Sequence, residues 1–321
     1  MEFLSSFAKR SGSPSIPLTI PLTILCLLSG MSACQPPSPP MSQFEEIESN
    51  PSMGGEDTRA GSDGQDQTPL AFQERLDGAW LHYSQISTCV DIGSSLEQYN
   101  RSLYTVQVTQ SEHGGLLERW EACEIDLSPV ISVRAQVPEA LRQSVYPIET
   151  DAGLVIGLPP SQRYASAALI ELWGVEMENP LLDPMPKDTD DERLYDMDLD
   201  GEVGGTLRIG DACLAYMAQR RVTHYHGVFT APDTIEGEAL SITEQYIIDA
   251  SSPLCKTAYQ TRSNPNRSVF KRLRIDGRGG AINLDLDDDG SVSCDELSIG
   301  RNELFIERLA IIELDHSNCQ R

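Results

Sequence analysis

The clearest strand pattern in the chain is the stretch Ser102-Leu-Tyr-Thr-Val-Gln-Val-Thr-Gln110. Its large apolar residues Tyr104, Val106 and Val108 occupy every second position. A period of two places these side chains on one face of a β-strand, where a core can cover them. The stretch therefore predicts a half-buried strand and gives the pattern to look for elsewhere.

Similar β-rich segments recur along the chain, at 116–127, 165–177, 215–228, 235–248 and 268–275. Repeated strands separated by turn residues are typical of an antiparallel up-and-down barrel or of a β-sandwich. We expect this mainly β domain to span residues 71–280. No helical periodicity of useful length precedes the C-terminal segment, residues 281–321.

A short motif near the start of this domain bears on the choice between barrel and sandwich. Asp77-Gly78-Ala79-Trp80 resembles the Gly-x-Trp motif that opens lipocalin-type barrels, in which the tryptophan plugs the closed end. The later lipocalin signatures are absent from the sequence. The resemblance implies a carrier with an apolar cavity behind Trp80, and the alternative is an ordinary core tryptophan.

The N-terminus has the features of an export signal. Lys9 and Arg10 precede the apolar residues 16–28, which end in Gly30-Met31-Ser32-Ala33-Cys34. This ending resembles the lipobox of bacterial lipoproteins, although Met31 stands where leucine is usual. The resemblance implies removal of residues 1–33 and acylation of Cys34; an ordinary secretory signal is the alternative.

Residues 34–70 have the composition of a tether. Proline clusters at its start, and its seven acidic residues face Arg59 as the one base. Such a segment stays extended and does not form a core. Gln35 follows the cysteine, which in enteric lipoproteins permits export to the outer membrane. We therefore expect an outer-membrane lipoprotein of the cell envelope, periplasmic or surface-exposed.

The chain as a whole resembles a class of β-rich bacterial envelope lipoproteins without a known activity. The resemblance covers most of residues 77–275 and rests on an acidic loop midway and an arginine-rich strand near the end. Arg272 and Arg274 of that strand are expected to lie on its outward face.

The cysteines fit an oxidising compartment. Apart from Cys26 in the signal peptide and Cys34, six remain, and none forms a Cys-x-x-Cys pair. This predicts three disulfides and disfavours zinc ribbons and thioredoxin-like chemistry. The pairing that closes the shortest loops is Cys89–Cys123, Cys213–Cys255 and Cys294–Cys319.

The strongest motif, residues 285–296, is called here the C-terminal acidic loop. It resembles the calcium loop of an EF-hand at each diagnostic position. The aspartates supply carboxylate oxygens, the glycine permits a sharp turn, the serine offers its carbonyl, and the glutamate closes the shell with two oxygens. The predicted ligands are Asp285, Asp287, Asp289, Ser291 and Glu296, with Gly290 at the turn.

The flanks of this loop depart from the EF-hand pattern. Only residues 281–284 separate it from Gly277-Arg-Gly-Gly280, which is too short for the usual entering helix. A helix after the loop is expected over residues 294–304. These flanks favour a fixed structural calcium site over a sensor that opens.

A second motif, residues 196–202, is called the central acidic loop. Its residues Asp196, Asp198, Asp200 and Glu202 repeat the first half of the calcium pattern, but the twelfth position is Leu207, which cannot be a ligand. Closing ligands would come from residues 188–192 or from Asp211. The alternative is a charged surface loop.

Other candidate sites are weaker. His224 and His226 share a strand face by the period of two, and with His82 they form a candidate zinc site; surface histidines are the alternative. The nucleophile elbow, the zinc-protease helix and the nucleotide-binding glycine loops are absent from the sequence. An envelope hydrolase with paired carboxylates is a third hypothesis.

The charge balance excludes one class of partner. The formal net charge is −25, from 24 basic and 49 acidic residues. A field of this sign repels phosphate backbones and attracts cations, so nucleic acid is not an expected partner. The leading hypothesis is a non-enzymatic, lipid-anchored surface or binding module that calcium stabilises. A lipocalin-like carrier of an apolar small molecule is the alternative.

Overall fold

A computed structural model describes residues 76–91, 95–110, 115–129, 134–157, 162–211, 213–252, 255, 260–264, 267–304 and 319. All of them belong to the second of the two units into which the chain divides, Pro51–Arg321. The predicted signal peptide, Cys34 and the tether lie outside the described residues, as do residues 305–318 of the C-terminal segment.

Strands account for most of the described chain. They are β1 Gly78–Asp91, β2 Ser95–Gln110, β3 Leu116–Leu127, β4 Ala135–Gln136, β5 Ile148–Asp151, β6 Leu154–Ile156, β7 Arg163–Ala165, β8 Leu169–Trp173, β9 Gly205–Ile209, β10 Cys213–Ala231, β11 Thr234–Ala250, β12 Gln260–Ser263 and β13 Val269–Arg274. Two helices are described, α1 Glu139–Val145 and α2 Cys294–Leu304. Neither is long and apolar enough to cross a bilayer.

The strands form one antiparallel sheet in the order β4-β9-β10-β11-β13-β1-β2-β3-β5. One edge of the long strand β10 pairs with β11. Its opposite edge pairs with β7, β8 and β9 at successive positions. Within the described strands the sheet does not close into a barrel, which agrees with the sandwich alternative. The predictions of a mainly β antiparallel fold and a short C-terminal helix are confirmed, but the segment 165–177 is divided between β7 and β8.

Strand β1 is buried on both faces, and its alternate residues belong to different sets of buried residues. Trp80 and His82 face the main core, in which aromatic residues of β2, β3, β7, β10 and β13 meet. Ala79 and Leu81 face the other way and contribute to a second set of buried residues, called here the outer cluster. Its members are Ala79, Leu81, Leu103, Leu273, Ile275, Leu284, Val292 and Leu297.

Arg272 lies at the centre of the main core, with none of its surface exposed. Its Nη1 donates to Glu118 Oε1 at 2.8 Å and to the Tyr164 hydroxyl at 2.7 Å. The rings of Trp80 and Trp120 lie 5.7 and 5.3 Å from its guanidinium carbon. The prediction that Arg272 is on an outward face is therefore wrong.

Arg274 is also buried, so the outward placement predicted for it is wrong as well. Its guanidinium carbon lies 4.4 Å from the centroid of the Trp80 ring. The period of two gives the reason. Phe270 belongs to the main core, so Arg272 and Arg274 share its face, while Leu273 and Ile275 point to the outer cluster.

Three disulfides join described cysteines: Cys89–Cys319, Cys123–Cys294 and Cys213–Cys255. The predicted pair Cys213–Cys255 is confirmed, whereas Cys89–Cys123 and Cys294–Cys319 are wrong. Cys89 lies on β1 opposite Glu97, and Cys123 lies two strands away at the bulge of β3 opposite Leu103 and Tyr104. Because β2 separates them, the two cysteines pair instead with the returning C-terminal segment.

The structure separates the three histidines of the candidate zinc site. His82 is fully buried and packs against Trp120, Tyr225 and Phe270, at centroid distances of 4.8, 4.3 and 5.3 Å. Since Tyr225 points into the core, its neighbours His224 and His226 point to the opposite face of β10. The zinc hypothesis for these residues is wrong.

His82 makes the stability of the fold sensitive to acid. Its pKa is lowered well below the ordinary value of 6.5, first because burial penalises the charged ring and then because Arg272 repels it. The unfolded chain therefore binds a proton that the folded chain does not, and stability falls as the pH drops through 6.5. From about pH 7.5 to about pH 5.5 this group alone should lower the free energy of unfolding by about 1.4 kcal/mol.

The variant His82→Phe should lack this contribution, which urea unfolding at the two pH values measures. His226→Phe, at an exposed position of β10, is the matched control. If the wild type and His82→Phe lose the same free energy of unfolding between the two pH values, then the folded protein accommodates a charged His82.

Candidate functional site

The C-terminal acidic loop brings its three aspartates together. One carboxylate oxygen from each of Asp285, Asp287 and Asp289 lies within 4.8 Å of the other two. Asp285 is partly buried, and the other two are exposed. The sequence predicted this convergence from the spacing of the aspartates alone.

Backbone amides hold the aspartates in this arrangement. Asp285 accepts hydrogen bonds from the amides of Asp289 at 3.1 Å and of Gly290 at 2.9 Å. Asp289 in turn accepts one from the amide of Ser291 at 2.8 Å. The turn requires positive φ at Gly290, where it is 86°, and at Asp288, where it is 58°. Glycine adopts this conformation without strain, as the motif requires.

Glu296 closes the same loop through amides. Its Oε1 accepts from the Leu286 amide at 2.7 Å, and its Oε2 accepts from the amide and the hydroxyl of Ser293, both at 2.8 Å. Ser293 and Glu296 thus form a capping box at the start of α2. The Ser293 amide, with help from those of Leu286 and Asp287, lowers the pKa of the Glu296 carboxyl despite partial burial. Its oxygens are not in the group formed by the three aspartates.

The loop is fastened to the sheet on its apolar side. Val292 within the loop and Leu297 after it are buried in the outer cluster, and Leu284 joins them from before the loop. Cys294, also within the loop, forms the disulfide with Cys123 of β3. The 3-10 turn Arg278–Gly280 precedes the loop, in agreement with the prediction that no entering helix fits there.

The central acidic loop repeats this backbone pattern residue for residue. Asp196 accepts from the amides of Asp200 at 3.2 Å and of Gly201 at 2.9 Å, and Asp200 accepts from that of Glu202 at 3.0 Å. Positive φ values recur at the equivalent positions, 57° at Leu199 and 95° at Gly201. Carboxylate oxygens of Asp196, Asp198 and Asp200 again lie within 4.8 Å of one another.

Strand β9 closes the central acidic loop in place of a glutamate. The Thr206 hydroxyl donates to Asp200 at 2.6 Å, and the Thr206 amide donates to Asp198 Oδ2 at 3.1 Å. Leu207, at the twelfth position, is buried in the main core. Sequence reasoning missed Thr206, whose hydroxyl one residue before Leu207 was the available signal.

Asp198 carries the most informative atom of the site. Its side chain is only 8% exposed, and its Oδ1 is buried without a hydrogen-bond partner. An unpartnered buried carboxylate oxygen costs stability unless a cation or a donor meets it. This oxygen belongs to a carboxylate that converges with two others, where a bound cation would satisfy it.

The predicted closing ligands of the central acidic loop lie elsewhere. Asp191 pairs with Arg193 at 2.7 Å, while Asp188 and Asp190 raise the pKa of Tyr246 after the larger effect of burial. Neither those residues nor Asp211 join the group of three aspartates.

Tyr216 lies opposite Thr206 and is affected by the carboxylates of the central acidic loop. Its pKa is raised by burial first, and then by the negative charges of Glu202, Asp200, Asp249 and Asp198. Glu202 and Asp249 therefore lie near Tyr216 together with two of the three aspartates. Asp249 could not be found from sequence patterns, since only the pairing of β10 with β11 brings it opposite Tyr216.

Carboxylate oxygens, such as those of both groups of aspartates, are the donor type that calcium prefers. Calcium accepts six to eight oxygen ligands at about 2.4 Å, so two ligands on opposite sides of one ion lie about 4.8 Å apart. The carboxylate oxygens meet this limit in both loops. Magnesium prefers water for much of its octahedral shell and suits these sites less well.

No protein-family model, curated protein or solved structure matches the chain.

The substitution Asp198→Asn should have opposite effects with and without calcium. Without calcium, the free energy of unfolding should rise by about 1 kcal/mol, because an amide donates where the carboxylate oxygen has no partner and because charge repulsion falls. With calcium, the stabilisation that the ion provides at this loop should disappear. Urea unfolding in chelator and in excess calcium measures both.

Asp190→Asn is the matched control, since Asp190 is exposed and outside the group. A calcium response in Asp198→Asn equal to that of the wild type would exclude Asp198 as a ligand.

Without calcium, the substitution Glu296→Gln should destabilise the protein, in contrast to Asp198→Asn. The free energy of unfolding should fall by about 1 kcal/mol, because the variant weakens the capping box and the closure of the loop onto Leu286. Thermal unfolding in chelator tests this against Glu178→Gln, an exposed glutamate outside both loops. An unchanged melting temperature would show that the loop does not depend on Glu296 for its closure.

Proposed function

We propose that the protein is a calcium-binding, lipid-anchored protein of the cell envelope, in which calcium is structural and the folded part is a non-enzymatic surface or binding module. The observation that carries the proposal is the buried, unpartnered Oδ1 of Asp198 within a group of three carboxylates. A divalent cation is the partner that satisfies this oxygen and offsets the repulsion within the group.

The recurrence of one loop geometry in two unrelated settings supports the same proposal. One loop leads into helix α2 and the other into strand β9, yet their amide-to-aspartate hydrogen bonds and positive φ values correspond. Such loops are self-repelling unless a cation is bound. The net charge of −25 keeps the local concentration of cations high.

A structural role follows from the position of the C-terminal acidic loop. The loop and α2 cover the outer cluster, so loosening them would expose Leu81, Leu103 and Leu273 of the sheet. Calcium would hold this cover in place. Sites of millimolar affinity suffice for this purpose outside the cell, where calcium is abundant.

The envelope location rests on the sequence. The lipobox-like ending at Cys34 implies an acyl anchor in the outer membrane, and the tether, residues 34–70, would hold the folded part away from the lipid surface. The six remaining cysteines pair as disulfides, which is what an oxidising compartment permits.

The alternative of a lipocalin-like carrier receives no support at Trp80. The tryptophan is fully buried, its Nε1 donates to the Leu76 carbonyl at 2.7 Å, and two guanidinium groups pack on its ring. On this side the ring therefore contacts charged side chains and not an apolar space.

Calcium titration of the whole chain tests the proposal. Isothermal calorimetry should detect two sites, and at about ten times the dissociation constant each should add about 1.4 kcal/mol to the free energy of unfolding. Asp287→Asn and Asp198→Asn should each remove one site. Magnesium at the same concentration is the control ion. The absence of both heat and stabilisation with calcium would refute the proposal.

A further inference from the structure

An open groove of about 490 Å³, lined mainly by residues with aliphatic side chains, lies beside the central acidic loop. Its walls are aliphatic residues of β8 and its neighbours, including Ile148, Ile170 and Leu172, with Val175 and Met177 buried beneath. This volume is within the range of small-molecule sites.

The central acidic loop forms part of this groove. Met197 lies between Asp196 and Asp198 in sequence, and it lines the groove together with Tyr195. The Met197 sulfur accepts a hydrogen bond from the Gly174 amide at 3.1 Å, at the end of β8. A cation that orders the aspartates therefore also fixes the position of Met197 in the wall.

The charge at the groove selects its occupant. Glu176 is the one charged residue among those that line it, and its side chain is exposed. No described lysine or arginine pairs with its carboxylate. A groove lined mainly by aliphatic side chains and by one exposed carboxylate matches a molecule with an apolar body and a cationic group.

We propose that this groove binds a small cationic amphiphile, and that calcium in the central acidic loop strengthens the binding by fixing Met197 and Tyr195. The inference rests on the proposed function, because it uses the same calcium site. By reciprocity, the amphiphile strengthens calcium binding by the same factor.

Methionine methyl groups provide the test. In the whole chain labelled with ¹³C-methyl methionine, Met177 and Met197 line the groove, while Met185 and Met217 lie outside it and serve as internal controls. The probes are 4-phenylbutylamine, 4-phenylbutanol and 4-phenylbutyrate, which share one body and differ in charge. The amine should shift the Met177 and Met197 signals with a dissociation constant in the millimolar range. This constant should be about fivefold or more lower with calcium than with chelator.

Two variants separate the charge from the apolar surface. Glu176→Gln should reduce the preference for the amine over the alcohol by about threefold, as expected for an exposed charge pair, whereas Glu178→Gln should not change it. Ile170→Gln should weaken the binding of all three probes. Its melting temperature reports whether it folds, and Ile170 belongs to none of the buried clusters.

The outcomes distinguish this inference from the proposed function. Failure of calcium to shift Met197 or to stabilise the protein refutes the calcium site itself. If calcium binds and no probe shifts Met177 or Met197, or the acid binds as well as the amine, then the groove inference is wrong. Concentration-dependent shifts of the same signals without any probe would assign the groove to a second copy of the chain and would also overturn it.

Discussion

The buried guanidinium of Arg272 is the constraint on which the rest of the structure depends. It joins β13 to Glu118 of β3 and to Tyr164 of β7, and it packs between Trp80 and Trp120. Removing one partner of such a pair leaves an uncompensated charge and costs about 3–5 kcal/mol. The pair therefore fixes the face that β13 turns to the core. That choice places Leu273 and Ile275 in the outer cluster, on which the C-terminal acidic loop rests.

The same pairing changes how the acidic composition should be understood. Further arginines are buried with glutamates, as in Arg221 with Glu171 and Arg220 with Glu244. Each buried pair takes one base and one acid from the surface. Because bases are scarce, the ratio of acids to bases at the surface rises although the net charge is unchanged. The exposed acids thus have few basic partners, which favours cations as ligands.

Local patterns predicted those features that depend on local interactions. The bounds of β3 and α2 agree with the segments predicted, 116–127 and 294–304, and the aspartates of both loops converge as their spacing implied. The failures concern contacts between distant strands. The outward placement of Arg272 was wrong because Glu118, its partner, is far away in sequence. The disulfide of Cys123 depends on the path of a segment that returns after β13.

The two acidic loops differ in what a cation would change. The C-terminal acidic loop is closed by a glutamate at the start of a helix and stays mostly exposed, so its order depends on groups that water competes for. The central acidic loop is closed by Thr206 of a paired strand, and Asp198 is already held by the amide of that residue. The Thr206 side of this loop is therefore held without an ion, and the cost of repulsion among its carboxylates is present in the folded protein. A cation at this loop relieves that repulsion and restricts the segment around Met197, whereas a cation at the other loop holds residues that are mostly exposed.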